Sequence, residues 1–224
     1  MTSIYQQILG EDFARLHPQI QRRFGFSSRD RIASIGTGIM AQVWRGRFFT
    51  LPFLYLGTWR NIMFPTSGTD VPFSVANYAY RDPFGRETVT WIRTFEFRKR
   101  TRRFDATMIK SEQRNCIVDY LGTHQHLAVD IHLSVGDNGG MCLRSGEQRF
   151  YEGPLAFRFP MLFSGYADVC EWYDDATQKF QIEVIVSNRV WGRLFGYRGS
   201  FDIRYVPVTG VPDDVKPMRV EQRE

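Results

Sequence analysis

The sequence predicts a mainly β (α+β) fold: one domain in which about ten antiparallel strands form a barrel or a strongly curved sheet, with short helices at the N-terminal side. Three observations carry this. Aromatic residues make up 15% of the chain, with 19 Phe and 10 Tyr, a composition suited to pleated strands. Strand-like runs follow one another from Arg31 onward, separated by short groups of Gly, Pro, Asn and Asp that supply hairpin turns. An open sheet of that many strands would leave costly unpaired edges, so closure or strong curvature is required. With 224 residues, 43% of them hydrophobic, the chain can bury one sizeable core.

The elements follow in order. "SIYQQILGEDFARLHPQIQRRFGF" reads as two short helices meeting near Gly10, with Phe13, Leu16 and Ile20 at helical spacing, Pro18 bending the pattern and Gly25 ending it. "RIASIGTGIMAQVW" is a first strand with glycines, and "TLPFLYLGTWRNIM" a short helix packed across an opening. "FSVANYAY", "RETVTWIRTFEF", "RFDATMIK", "CIVDYLG", "HLAVDIHLSV" and "MCLRSGEQRFY" then form an antiparallel meander. Its turns include Asp82-Pro83-Phe84-Gly85 and Asp137-Asn138-Gly139-Gly140, where Pro presets a negative φ and Gly or Asn accepts a positive one. A Pro- and Phe-rich connection, "GPLAFRFPMLFSG", leads to "YADVCEWYDD", "KFQIEVIVSN" and, after "RVWGRLFGYRG", the last strand "SFDIRYV". Residues 1–206 are expected to be a single β-rich domain with residues 1–26 as its helical segment, and residues 207–224 a disordered tail.

Several function classes find little support. The formal charge of +5 is modest for this length. Cys116, Cys142 and Cys170 lie far apart in apolar runs, fitting neither a disulfide framework nor zinc spacing, so buried free thiols in a reducing cytoplasm are expected. "MTSIYQQILGEDF" lacks the features of a signal peptide, and "FFTLPFLYLG" is too short to span a bilayer, so a soluble cytoplasmic protein is expected. "IGTGIMA" has the letters of a dinucleotide-binding turn, but no helix of the required length follows; Gly36 and Gly38 are read as places where the strand bends or another backbone approaches. "RKRTRR", Arg98 to Arg103, sits at a hairpin tip and reads as a solvated turn, with no strong case for nucleic acid. No Gly-x-Ser-x-Gly elbow is present.

Charges on otherwise apolar strand faces are the clearest anomalies, because burying them is costly unless they are paired or line a cavity. Glu87 and Arg93 share a face with Val89, Trp91, Phe95 and Phe97; Asp119 shares one with Ile117 and Leu121; Glu147, Arg149 and Tyr151 lie together. These residues are the candidate ligand site of a small-molecule binding domain, with an apolar or carboxylated ligand among Trp91, Tyr151 and Phe95 and Arg93 or Arg149 as its anion partner. The alternatives are an enzyme using Glu87 or Glu147 as acid or base, with or without a metal held by His124 and His126, and an accessory docking module working through the basic hairpin. No cofactor is expected; the competing expectation is a divalent metal. "HQHLAVDIH" would place His124, His126 and Asp130 on one strand face, and i, i+2 imidazoles can converge on one ion.

Long blocks, "NYAYRDPFGRETVTWIRTF", "RRFDATMI", "IVDYLGTHQHLAVDIHLSV", "SGEQRFYEGPLAFRFP" and "LFGYRGSF", resemble the bacterial family of domain of unknown function 4166, from near the N-terminus to about Tyr205. The resemblance implies a soluble bacterial domain, in some relatives fused to or neighbouring an NAD-binding enzyme, and brings no catalytic residues. "GRE" at Gly85 to Glu87 also resembles the acetoacetate-decarboxylase-like cone barrels, but Arg93 stands at the place comparable to their Schiff-base lysine, which excludes imine chemistry there.

Overall fold

The structure is a computed structural model that describes residues 2–160, 162 and 164–224. Among the described residues, three short α-helices, α1 (Ile4–Leu9), α2 (Pro18–Gly25) and α3 (Leu51–Trp59), accompany eleven strands: β1 (Ile32–Arg45), β2 (Gly68–Arg81), β3 (Glu87–Phe97), β4 (Arg100–Ser111), β5 (Cys116–Leu121), β6 (Leu127–Val135), β7 (Met141–Glu152), β8 (Leu155–Arg158), β9 (Tyr166–Asp174), β10 (Lys179–Asn188) and β11 (Gly192–Pro207). Every pairing is antiparallel. β1 to β7 run as a meander, β9 to β11 continue it, and the β1–β11 pairing closes a ten-stranded barrel. The four-residue strand β8 falls within the "GPLAFRFPMLFSG" segment expected to be a connection; Met161 and Phe163 of that segment lie outside the described residues. It pairs with Arg149–Glu152, the part of β7 that β9 leaves free.

Alternation sets the inside of the barrel. On β2, Val71, Phe73, Val75, Asn77 and Ala79 are buried, and on β10, Phe180, Ile182, Val184 and Val186. Phe64, Phe73, Phe95, Phe195 and Tyr197 meet in tilted and edge-on pairs at one end of this core. Phe13, Leu16, Ile20 and Phe24 from the helical segment join it. Pro18 starts α2 where a bend was expected: with no N–H to lose it suits the first helical position, while the preceding His17 caps the helix by accepting the Gln19 N–H through Nδ1, at 3.2 Å. Gly38 lies inside β1, and a Cβ there would come within 2.1 Å of the Ser200 carbonyl, so it serves close backbone approach and opens no helix.

Two further features depart from the sequence reading. Cys142 on β7 lies directly opposite Cys170 on β9, and the two are joined as a disulfide, while Cys116 is a buried free thiol. The strands become neighbours only through the barrel's topology, which Cys spacing does not reveal. The bond closes a 28-residue separation, so Cys170→Ser should lower unfolding free energy by about 3 kcal/mol. Urea denaturation of the oxidised protein and the variant checks this, and the difference should vanish in reductant.

The segment after Pro207, whose prolines and charges predict disorder, forms no helix or strand but lies against the barrel wall. Val215 and Glu221 are buried, Met218 donates to the Thr123 carbonyl at 2.8 Å, and the Tyr120 and Tyr151 hydroxyls donate to the carbonyls of Arg223 and Glu224. It covers a small second core of Ile109, Cys116, Val118, Tyr120, Ala128 and Tyr151 on the outer face of β4 to β7.

Candidate functional site

Within the barrel lies a cavity of about 90 Å³ lined mainly by apolar side chains, among them Met63, Trp91, Met108, Leu127, Val129 and Val184. Arg93 and Asp119 are the charged groups on its wall, set there by β3 and β5. Alternation puts Val89, Trp91, Arg93 and Phe95 inward on β3, and Ile117, Asp119 and Leu121 inward on β5.

Arg93 is 4% exposed. Its guanidinium lies over the Phe104 ring, 3.8 Å from the centroid, donates to the Phe104 carbonyl at 3.1 Å and reaches the Tyr197 hydroxyl at 3.4 Å. Among the described residues no carboxylate forms an ion pair with it. Asp119, 5% exposed, has one carboxyl oxygen with no hydrogen-bond partner. Burial pushes its pKa up to about 7, against a smaller downward pull from Arg93. The cavity wall therefore carries a cation without a contacting anion and a carboxyl group without a donor, both costly arrangements in an otherwise apolar interior.

Of the residues expected to bind ligand, Trp91, Arg93 and Asp119 come together. Phe95 is buried beside them but packs against Phe64, Phe73 and Tyr197. Glu87 is engaged elsewhere, accepting from the Ser28 backbone N–H at 2.5 Å and its hydroxyl at 2.7 Å, which ties the N-terminal segment to β3.

Glu147, Arg149 and Tyr151 do share a face, but it points away from the cavity. The β6–β7 register passes from Ile131 opposite Ser145 to Val129 opposite Gln148, so β7 carries one extra residue there. That bulge reverses the alternation, bringing Leu143, Ser145 and Gln148 to the cavity and leaving Glu147 and Arg149 outside. There Asp130 receives Arg149 at 2.6 Å and Arg114 at 2.7 Å, and Glu147 receives Arg114, Arg149 and Arg158. Burial works against ionisation of Asp130 and Glu147, yet these arginines hold both carboxyls below their usual range.

The proposed metal set does not assemble. His124 and His126 stack with centroids 5.6 Å apart, but they lie before β6, where Gln125 takes a positive φ of 52°. His126 Nδ1 meets Glu152 and the tail's Arg219, at 2.8 and 2.7 Å, and Asp130 is held by its two arginines. Among the described residues no three His, Cys, Asp or Glu side chains converge on a metal-binding point.

Sequence reasoning missed two polar groups of interest. Gln148 donates to the Gly165 carbonyl at 2.7 Å and accepts from the Ser164 hydroxyl at the cavity's edge. Arg23 of α2 meets Glu171 of β9 at 2.8 Å in the core, donates to Ser34 and Asn77, and lies 5.2 Å from the Trp91 ring. Arg22 and Arg23 are adjacent cations with nothing local to set them apart, and only the closed barrel brings Arg23 to Glu171.

Among the described residues no helix is long and apolar enough to cross a membrane. No solved structure matches the chain. A Bacillus subtilis (strain 168) protein, "Uncharacterized protein YndH", is 31% identical over 201 residues, covering 90% of this chain and 97% of its own length. The family model described as "Domain of unknown function (DUF4166)" matches residues 16–201, spanning β1 to most of β11 and including both Arg93 and Asp119: the chain belongs to this family.

Proposed function

We propose that the barrel binds a small molecule with an apolar body and a carboxylate head, the head lying between Arg93 and Asp119. The observation that carries this reading is that a buried guanidinium with no contacting carboxylate and a buried carboxyl with an unpartnered oxygen face the same apolar cavity. A ligand carboxylate would receive charge-assisted hydrogen bonds from Arg93, and protonated Asp119 would donate a further one. Trp91, Val129 and Val184 would enclose the apolar part. A cavity of about 90 Å³ is well below the several hundred usual for drug-sized ligands, which favours an acid of only a few carbons.

Calorimetric titration with the straight-chain acids from acetate to hexanoate tests this. A single saturable site with an optimum chain length is expected, and Arg93→Met should weaken binding by about thirtyfold or more. Absence of binding across the series, or equal affinity in the variant, would end the reading.

A second reading is acid–base catalysis by Asp119, favoured by a pKa of about 7, where a group can both give and take a proton near neutrality. Glu87 and Glu147, the acids considered from sequence, are less suited because hydroxyl and guanidinium partners already occupy them.

A further inference from the structure

We propose that the barrel end carrying α3 docks on an anionic lipid surface, with the apolar side chains of α3 and its preceding turn entering the headgroup boundary. The segment "LPFLYLGTW" has no charged residue, and only Leu54 and Gly57 of it are buried. Phe48 is 80% exposed, Leu56 65% and Trp59 79%, with Phe53 and Tyr55 also exposed. Phe48 packs on Phe49, and Trp191 from the β10–β11 turn meets both Phe49 and Phe53, at 6.2 and 5.9 Å; Tyr55, Leu56 and Trp59 extend this exposed apolar surface along α3. Contiguous apolar surface of this kind marks an interaction site, whereas single exposed apolar residues do not.

The surrounding charge specifies the partner. Tyr55 lines a groove with Arg45, Arg98, Lys99 and Arg100, against which stand only Asp70 and Glu96, so four cations face two carboxylates. Arg47 shares a second groove with Phe48, and the Arg60 guanidinium lies 5.6 Å from the Trp59 ring. On the far side of Trp59, Asp213 and Asp214 face Arg60, Arg103 and Lys216. The topology explains the gathering, since β1, β3 and β10 all end at this rim of the barrel.

Leu and Phe beside Trp and Tyr, bordered by arginines, match the layers of a membrane boundary: acyl chains, the interfacial belt and headgroup phosphates. Nucleic acid would use the cations and the aromatic faces but has no place for Leu56. An ordinary protein partner would not call for the cationic border. No residue of α3 lines the ligand cavity.

The test is co-sedimentation of the full chain with phosphatidylcholine vesicles, with and without about one-third phosphatidylglycerol, while tryptophan emission is recorded. Partition onto the anionic vesicles, a blue shift of emission and steep weakening with salt are expected. Because these positions are exposed, Leu56→Ser/Trp59→Ser and Lys99→Glu/Arg100→Glu should fold normally, and each pair should reduce partition by at least about tenfold. Failure to bind anionic vesicles at low salt would overturn the proposal. So would binding that survives Leu56→Ser/Trp59→Ser unchanged, which would mean a purely ionic contact, or self-association through this surface without vesicle binding, which would assign it to a second copy of the chain.

Discussion

Asp119→Asn is expected to be more stable than the parent protein above neutral pH, by up to about 4 kcal/mol, and to lose that advantage in acid. The sign follows from the pKa, raised by burial from 3.8 to about 7. Below about pH 4 the carboxyl is protonated in both folded and unfolded chains and costs nothing extra. Between there and about pH 7 the unfolded chain ionises while the folded one resists, so folding weakens as pH rises; above that range the penalty is complete. Asparagine has the same shape and cannot ionise. Urea denaturation of both proteins across this range should show two curves that meet in acid and separate toward neutrality. Parallel curves would remove the basis for treating Asp119 as a strained, functional group. A residue that costs stability where it sits is the pattern expected when function maintains it.

Arg23→Met is expected to have the opposite effect, a loss of about 3 to 5 kcal/mol, because Glu171 would remain as an unpaired charge in the core. Domains of this kind have only about 5 to 15 kcal/mol in total, so the variant should unfold at much lower urea concentration. The double change Arg23→Met/Glu171→Leu should recover most of the loss, since an apolar pair avoids desolvating either charge. A single variant as stable as the parent would show that water reaches Glu171 in the folded chain.

The parts of this fold governed by local rules were legible in the sequence. Strand alternation and turn chemistry identified the barrel walls, and the same alternation placed Trp91, Arg93 and Asp119 inward. What the sequence concealed depends on long-range pairing or on a one-residue irregularity. Glu147 and Arg149 look identical in pattern to Arg93 until the bulge in β7 turns them outward. Cys142 and Cys170 become partners only because β7 meets β9. The tail is rich in proline and charge, yet Arg86 donates to the Glu221 and Gln222 carbonyls and helps hold it down, a contact no local signal encodes.

The closure between β1 and β11 joins the 14-residue first strand of the barrel to the 16-residue last one, and it is among the most extended pairings in the molecule. On the ribosome, the β2 edge of β1 can be satisfied soon after synthesis, but its other edge must wait for nearly the whole chain to emerge. During that interval the nascent protein is an incomplete curved sheet with an open apolar interior and an unpaired edge. Such non-local closure is intrinsically slow and leaves apolar surface exposed until it is complete, so the yield of folded protein should fall the longer the open sheet waits for β11.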